Sequence, residues 1–291
     1  MASSQSSSRL RGRGFGPALG LLPFLAYLAV FLLVPTVTVV AGAFQENGQF
    51  TTANVQALFE GTALHALWTS VVLSAATAAA GAVLGSVLAW LVAGIRTTSL
   101  VRRTVVSACG VLAQFGGVTL AFAFIATLGF SGVVTEAVRS WLGIDLFGSG
   151  WLFDLPGLIL VYCFFQIPLM VIVFLPALEG LQTQWREAAV NLGATARQYW
   201  WHVGIPLLRP AFLGSALLLF ASAFAAYATA AALVSQGQPI TPLLIRAALT
   251  SEVVLGRADL AFALALEMIV VVALVMTAYA LLLRRTSRWL R

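Results

Sequence analysis

The chain has 291 residues, is 60% hydrophobic and 9% charged, and carries a formal net charge of +6 with a mean hydropathy of +0.97. Soluble domains run near a quarter charged, so composition excludes a water-soluble fold of this size. It also excludes a nucleic-acid binder, because there is no lysine and the sixteen arginines sit between apolar blocks or at the two ends, where they build no phosphate-binding face.

In chain order, residues 1–16, with a serine cluster and Arg9, Arg11 and Arg13, read as a disordered tail. Residues 17–291 read as one transmembrane domain. Apolar runs long enough to cross a bilayer as helix fall at 18–42, 67–95, 104–129, 155–178, 211–234 and 259–283. The fold class expected is an all-α polytopic bundle of about six transmembrane helices. The first run is too long for the apolar part of a signal peptide and is read as retained. Pro23, Pro35, Pro168 and Pro176 lie inside or at the ends of these runs, which membrane helices tolerate. Gly110, Gly116, Gly117 and Gly129 point to close packing of the third span, with a local break as the second reading. Cys109 and Cys163 are isolated in apolar segments, and with His65 and His202 they make neither a disulfide framework nor a metal site.

The arginines set an expected orientation. With the N-terminus cytoplasmic, thirteen arginines lie inside, and Arg139, Arg246 and Arg257 lie outside. Both termini are then cytoplasmic.

The segment 179–210 is the longest on that face. Glu187, Ala188, Ala189 and Leu192 favour helix and Gly193 breaks it. A second short helix runs on to Pro206 and Pro210, the pair lying at the membrane surface. Trp185, Tyr199, Trp200 and Trp201 suit an interface. Glu187-Ala188-Ala189, then Gly193, then Val203-Gly204-Ile205-Pro206 after nine further residues resembles the EAA loop of ABC importer permeases. The departures are Val203 for isoleucine and Ile205 for leucine.

The resemblance implies that residues 17–291 are a permease domain whose loop couples to an ATPase through Glu187, Ala188, Ala189, Gly193, Val203, Ile205 and Pro206. It implies as partners an ABC ATPase dimer, a second permease subunit (a homologous chain or a copy) and an extracytoplasmic substrate-binding protein, at a bacterial inner membrane. ATP and magnesium would sit on the partner, since a Walker A motif needs a lysine this chain lacks. No cofactor and no enzymatic activity are expected of the chain itself. Gln166-Ile167-Pro168-Leu169-Met170 and the tail Leu283 to Trp289 look most like permeases of the spermidine/putrescine type, a branch that also holds importers of phosphonates, thiamine and ferric iron.

Polar side chains inside apolar runs are costly and default to functional candidates. Glu267 is the clear case, with no arginine in any span to neutralise it. Gln114, Gln166, Tyr162 and Tyr227, with Thr229, line a translocation path or bridge helices. An ion-coupled secondary transporter or channel using Glu267 is the alternative, and it predicts inverted repeats. No convincing repeat relates 18–129 to 155–283. No Ser/His/Asp arrangement or phosphate-binding glycine loop supports a membrane enzyme.

Overall fold

The computed structural model describes residues 15–46, 48–143, 147–148, 150–233, 240–250 and 258–287. Of the expected tail, Phe15 and Gly16 already open the first helix, and the rest lies outside the described residues. So do Arg257 and the tail from Arg288 onward.

Helix α1 (Phe15–Leu28) passes through a π-turn at Ala29–Leu33 into α2 (Val34–Ala43). A two-residue antiparallel ladder, Gln45–Glu46 with Gln49–Phe50, turns the chain into the short α3 (Ala53–Ala57). Next come α4 (Gly61–Ala93), α5 (Leu100–Gln114), α6 (Val118–Leu128) and α7 (Val133–Leu142). A 3-10 turn at Trp151–Phe153 leads to α8 (Leu155–Glu179), followed by α9 (Thr183–Asn191) and α10 (Ala196–Tyr199). A second π-turn, Trp200–Gly204, joins α10 to α11 (Ile205–Phe224). Helices α12 (Ala228–Leu233), α13 (Thr241–Thr250) and α14 (Ala258–Ser287) complete the described chain. Six of its apolar helical stretches are long enough to cross a membrane, and the architecture is an all-α membrane helix bundle.

The centre of the bundle is α8 against α4. Helix α4 turns a stripe of small residues inward, with Ala66, Ser70, Ser74, Ala78, Ala82 and Ala89 all buried. Between lipid-solvated helices there is little hydrophobic drive, so association depends on close backbone approach. At Gly81 a Cβ would stand 2.9 Å from Cβ of Gln166, and at Gly85 it would collide with Met170. Two buried hydroxyls of α4 are satisfied within the helix: Ser74 Oγ donates to the Ser70 carbonyl at 2.7 Å and Thr77 Oγ1 to that of Leu73 at 2.8 Å. Helix α1 leaves large apolar side chains such as Leu21, Phe24 and Leu25 more than half exposed, as a helix facing lipid requires. The far end of α2 docks on α14, where Gly42 admits the ring of Phe262.

Three sequence expectations change. The third run, 104–129, is not one helix: α5 and α6 are separated at Phe115–Gly117, with Gly117 at φ +79°. The glycines there mark a break, not the uninterrupted close packing expected first. At 11 residues α6 is about 16 Å long, roughly half the hydrocarbon thickness, so a span needs a neighbouring helix to complete it. The stretch that follows, α7, is set off at Gly129–Gly132 and carries Glu136 and Arg139.

The fifth run begins earlier and ends sooner than 211–234. Its helical stretch runs Ala196–Phe224 and stops before α12.

The second helix of the 179–210 segment is therefore not a separate surface helix ending at the prolines, but the start of the fifth span. Pro206 sits two residues beyond the π-turn, as Pro35 does beyond the other one. A proline ring clashes with the carbonyl four residues back, and the wider winding of a π-turn relieves that clash, so the helix continues.

Candidate functional site

The 179–210 segment forms a helix, a turn and the root of a span. Helix α9 carries Glu187, Ala188 and Ala189 and buries none of its nine residues. Its end is closed by two reversed bonds: Gly193 N–H donates to the Val190 carbonyl and Ala194 N–H to that of Ala189, both at 2.9 Å. This pattern demands a left-handed residue at the turn, and Gly193 has φ +76°. Nothing lies within 4 Å of where its Cβ would be, so backbone conformation alone selects glycine here. Thr195 then opens α10 with a reciprocal cap. Gln198 N–H donates to Thr195 Oγ1 at 3.3 Å, and Thr195 N–H donates to Gln198 Oε1 at 2.8 Å.

The motif residues separate by exposure. Glu187, Ala188, Gly193, Ile205 and Pro206 are exposed, while Ala189 and Val203 are half-buried. Beside them large apolar side chains stand bare: Val190, which sequence reasoning passed over, is 61% exposed, Leu192 88% and Trp201 68%. A cavity of about 510 Å³ lies between the last turn of α4, at Trp90 and Gly94, and the segment's Thr183, Arg186 and Val190. Across it, Trp200 meets Trp90 edge to face at 6.4 Å.

A second constellation lies where helices break. The chain is irregular at Phe115–Gly117 and again at Ala225–Tyr227, and the two breaks touch. Gly117 N–H donates to Thr229 Oγ1 at 2.9 Å, and Tyr162 Oη donates to the Ala226 carbonyl at 2.7 Å. Irregular backbone at membrane depth is tolerated where it is buried in protein or lines a cavity. Tyr162 and Gln166 are fully buried, and Gln166 Nε2 donates to the Leu219 carbonyl at 3.0 Å. Thr229 is 2% exposed. These three bridge helices inside the chain. Gln114, beside the first break, is exposed, and Tyr227, in the second, is half-buried.

Glu267 lies apart from both groups, on α14. It is 9% exposed, and its Oε2 has no hydrogen-bond partner among the described residues. The structure does not join it to Gln114 or to the loop motif. An ion pair that the sequence reading did not anticipate stands at the root of α9: Arg102 of α5 meets Glu179, the last residue of α8. No local pattern announces it, because its members lie on helices far apart in sequence.

With this geometry in place, the comparisons give the class. Residues 85–288 match the family described as binding-protein-dependent transport system inner membrane component. The chain belongs to that family.

It is 27% identical over 195 residues to the sulfate transport system permease protein CysW of Escherichia coli, covering 67% of this chain and 63% of that protein. It is 31% identical over 163 residues to the molybdenum transport system permease protein ModB of Mycobacterium tuberculosis, covering 55% and 56%. The matches thus span somewhat less than two thirds of these relatives' lengths. The fold also matches the solved structure of a bacterial alginate ABC transporter in complex with an alginate pentasaccharide-bound periplasmic protein. The TM-score there is 0.76 at 19% identity, over 92% of this chain and 94% of that one.

Proposed function

We propose that this chain is one permease half of an ATP-binding-cassette importer. The 179–210 segment is the surface that meets a separate ATPase dimer, and it lies with both termini on the cytoplasmic side. The observation that carries this reading is α9 itself: a nine-residue helix with nothing buried, presenting Glu187 and Val190, with Leu192 just past its end, at one end of an apolar bundle. Apolar residues left bare beside a charge, outside the spans, suit a protein partner better than water or lipid. Family membership supports it, as do relatives named as transport permeases. ATP and magnesium belong to the partner ATPase, a second permease chain or copy completes the path, and an external binding protein delivers the solute.

The path is assigned to the paired breaks, with Gln114 and Tyr227 as its polar contacts from this chain. The polyamine-like solute suggested by Gln166–Met170 has no counterpart among relatives named for sulfate, molybdenum and ferric iron. We place inorganic oxyanions such as sulfate and molybdate first. The test is reconstitution with an ATPase and a binding protein in vesicles, measuring ATP-dependent uptake of sulfate, molybdate, ferric iron and spermidine side by side. ATP-dependent uptake of none of them, with no ATPase retained on the purified chain, would refute the importer reading. Uptake of spermidine alone would refute the oxyanion assignment and leave the importer standing.

A further inference from the structure

We infer that Arg102 and Glu179 are a positioning pair that carries displacement of α9 into α5, and through α5 to the paired helix breaks. The inference rests on the proposed docking of α9 to an ATPase. Helix α9 buries no residue, and the cavity of about 510 Å³ separates it from the end of α4. Force passes between groups in contact, and the firmest connections of this exposed helix are the segments continuous with its two ends.

One end passes through the Gly193 turn into α10. From α10 the chain winds through Trp200–Gly204 into α11, held by buried Tyr199 and by Trp200 against Trp90. The other end is Glu179, separated from the start of α9 only by Gly180, Leu181 and Gln182. Its carboxylate meets the Arg102 guanidinium, which is 12% exposed while Glu179 is 42% exposed. A second nitrogen of Arg102, Nη1, donates to the Ile95 carbonyl at 3.5 Å, so the same side chain also holds the turn between α4 and α5. Arginine suits this post because its planar fork holds two acceptors in fixed directions.

Helix α5 then acts as the lever. It runs about 22 Å from its first turn to Gln114, at the break fastened to Thr229 by Gly117 N–H. The pair links the exposed loop to the place where Gln114 and Tyr227 meet the path. Coupling of this kind needs an element that both sites bias, and α5 is in contact with both.

The experiment uses the whole complex in vesicles and reads solute imported per ATP hydrolysed, alongside retention of the ATPase on the purified permease. Arg102→Glu and Glu179→Arg should each lower imported solute per ATP by about tenfold while the ATPase stays bound, and the charge-reversed double variant should restore it to within about twofold. Glu179→Gln, which keeps the shape and folds without a reversed charge, should uncouple as the single reversals do. A pair that merely stabilised the bundle would lower the amount of assembled complex without changing solute per ATP. That result overturns the inference. So does wild-type coupling in Glu179→Gln, or a double reversal no better than its parents. If the wild-type chain retains no ATPase, the docking reading falls and this inference with it, an outcome distinct from an intact complex that couples normally without the pair.

Discussion

The backbone N–H of Gly117 donates to Oγ1 of Thr229 over 2.9 Å, tying the break in the third apolar run to the one that follows the fifth. Thr229 is buried and Gly117 half-buried, so water replaces the lost acceptor poorly. Thr229→Val keeps the shape and deletes the hydroxyl, leaving a half-buried donor unpaired at a cost of about 1–2 kcal/mol. Tyr162→Phe, which removes the donor to Ala226, should cost about 1 kcal/mol. Thermal unfolding of the purified protein in detergent should show both losses, the first larger. Thr229→Ser should unfold close to wild type. Equal stability of Thr229→Val and wild type would show that the breaks are not held by this bond.

The loop turn yields a second prediction. Gly193→Val forces a β-branched residue into a left-handed conformation, an expense of about 1–2 kcal/mol that the turn avoids by changing its angle. Glu187→Ala removes an exposed carboxylate from α9. Neither touches an apolar span, so insertion and protein level should be normal. In vesicles with the ATPase, the double variant should lose uptake and ATPase stimulation. Normal coupled uptake would remove the main support for docking through α9.

Glu267 is expected to serve transport, not folding. A buried carboxyl with one oxygen unpaired among the described residues is a cost that stability alone gives no reason to keep. Glu267→Gln preserves shape and hydrogen-bonding capacity while removing the ability to ionise. Assembly should be unchanged, and uptake should fall and lose any dependence on pH that wild type shows. Unaltered uptake across pH would assign the residue a structural role.

Orientation is open to direct chemistry. With Cys109 and Cys163 replaced, single cysteines at Phe50 and Ser140 should react with an impermeant reagent from outside. Cysteines at Leu100 and Thr195 should react only after the membrane is opened. All four positions are exposed, so accessibility and not burial decides the result. Labelling of position 195 from outside would overturn the topology and the docking reading together.

The sequence by itself determined the solvent, the helical class and the loop. Bilayer thickness sets a run length that hydropathy displays without any partner, and Gly193 is legible because its left-handed turn is a local demand of α9. Pro206 misled the reading of where the fifth span starts, because the helix before it reads as ending at the proline, whereas the chain winds through a π-turn and stays helical, a winding not written in residue type. The break at Phe115–Gly117 lay hidden in a continuous apolar run, since glycine serves a packed membrane helix as readily as an interruption. The acceptor that receives the freed Gly117 N–H at the interruption is Thr229, 112 residues away. The same holds for Tyr162 with Ala226, Gln166 with Leu219 and Arg102 with Glu179. Hydropathy is a relation between a segment and its solvent. A hydrogen bond or an ion pair is a relation between two segments, and only tertiary structure decides which segments meet.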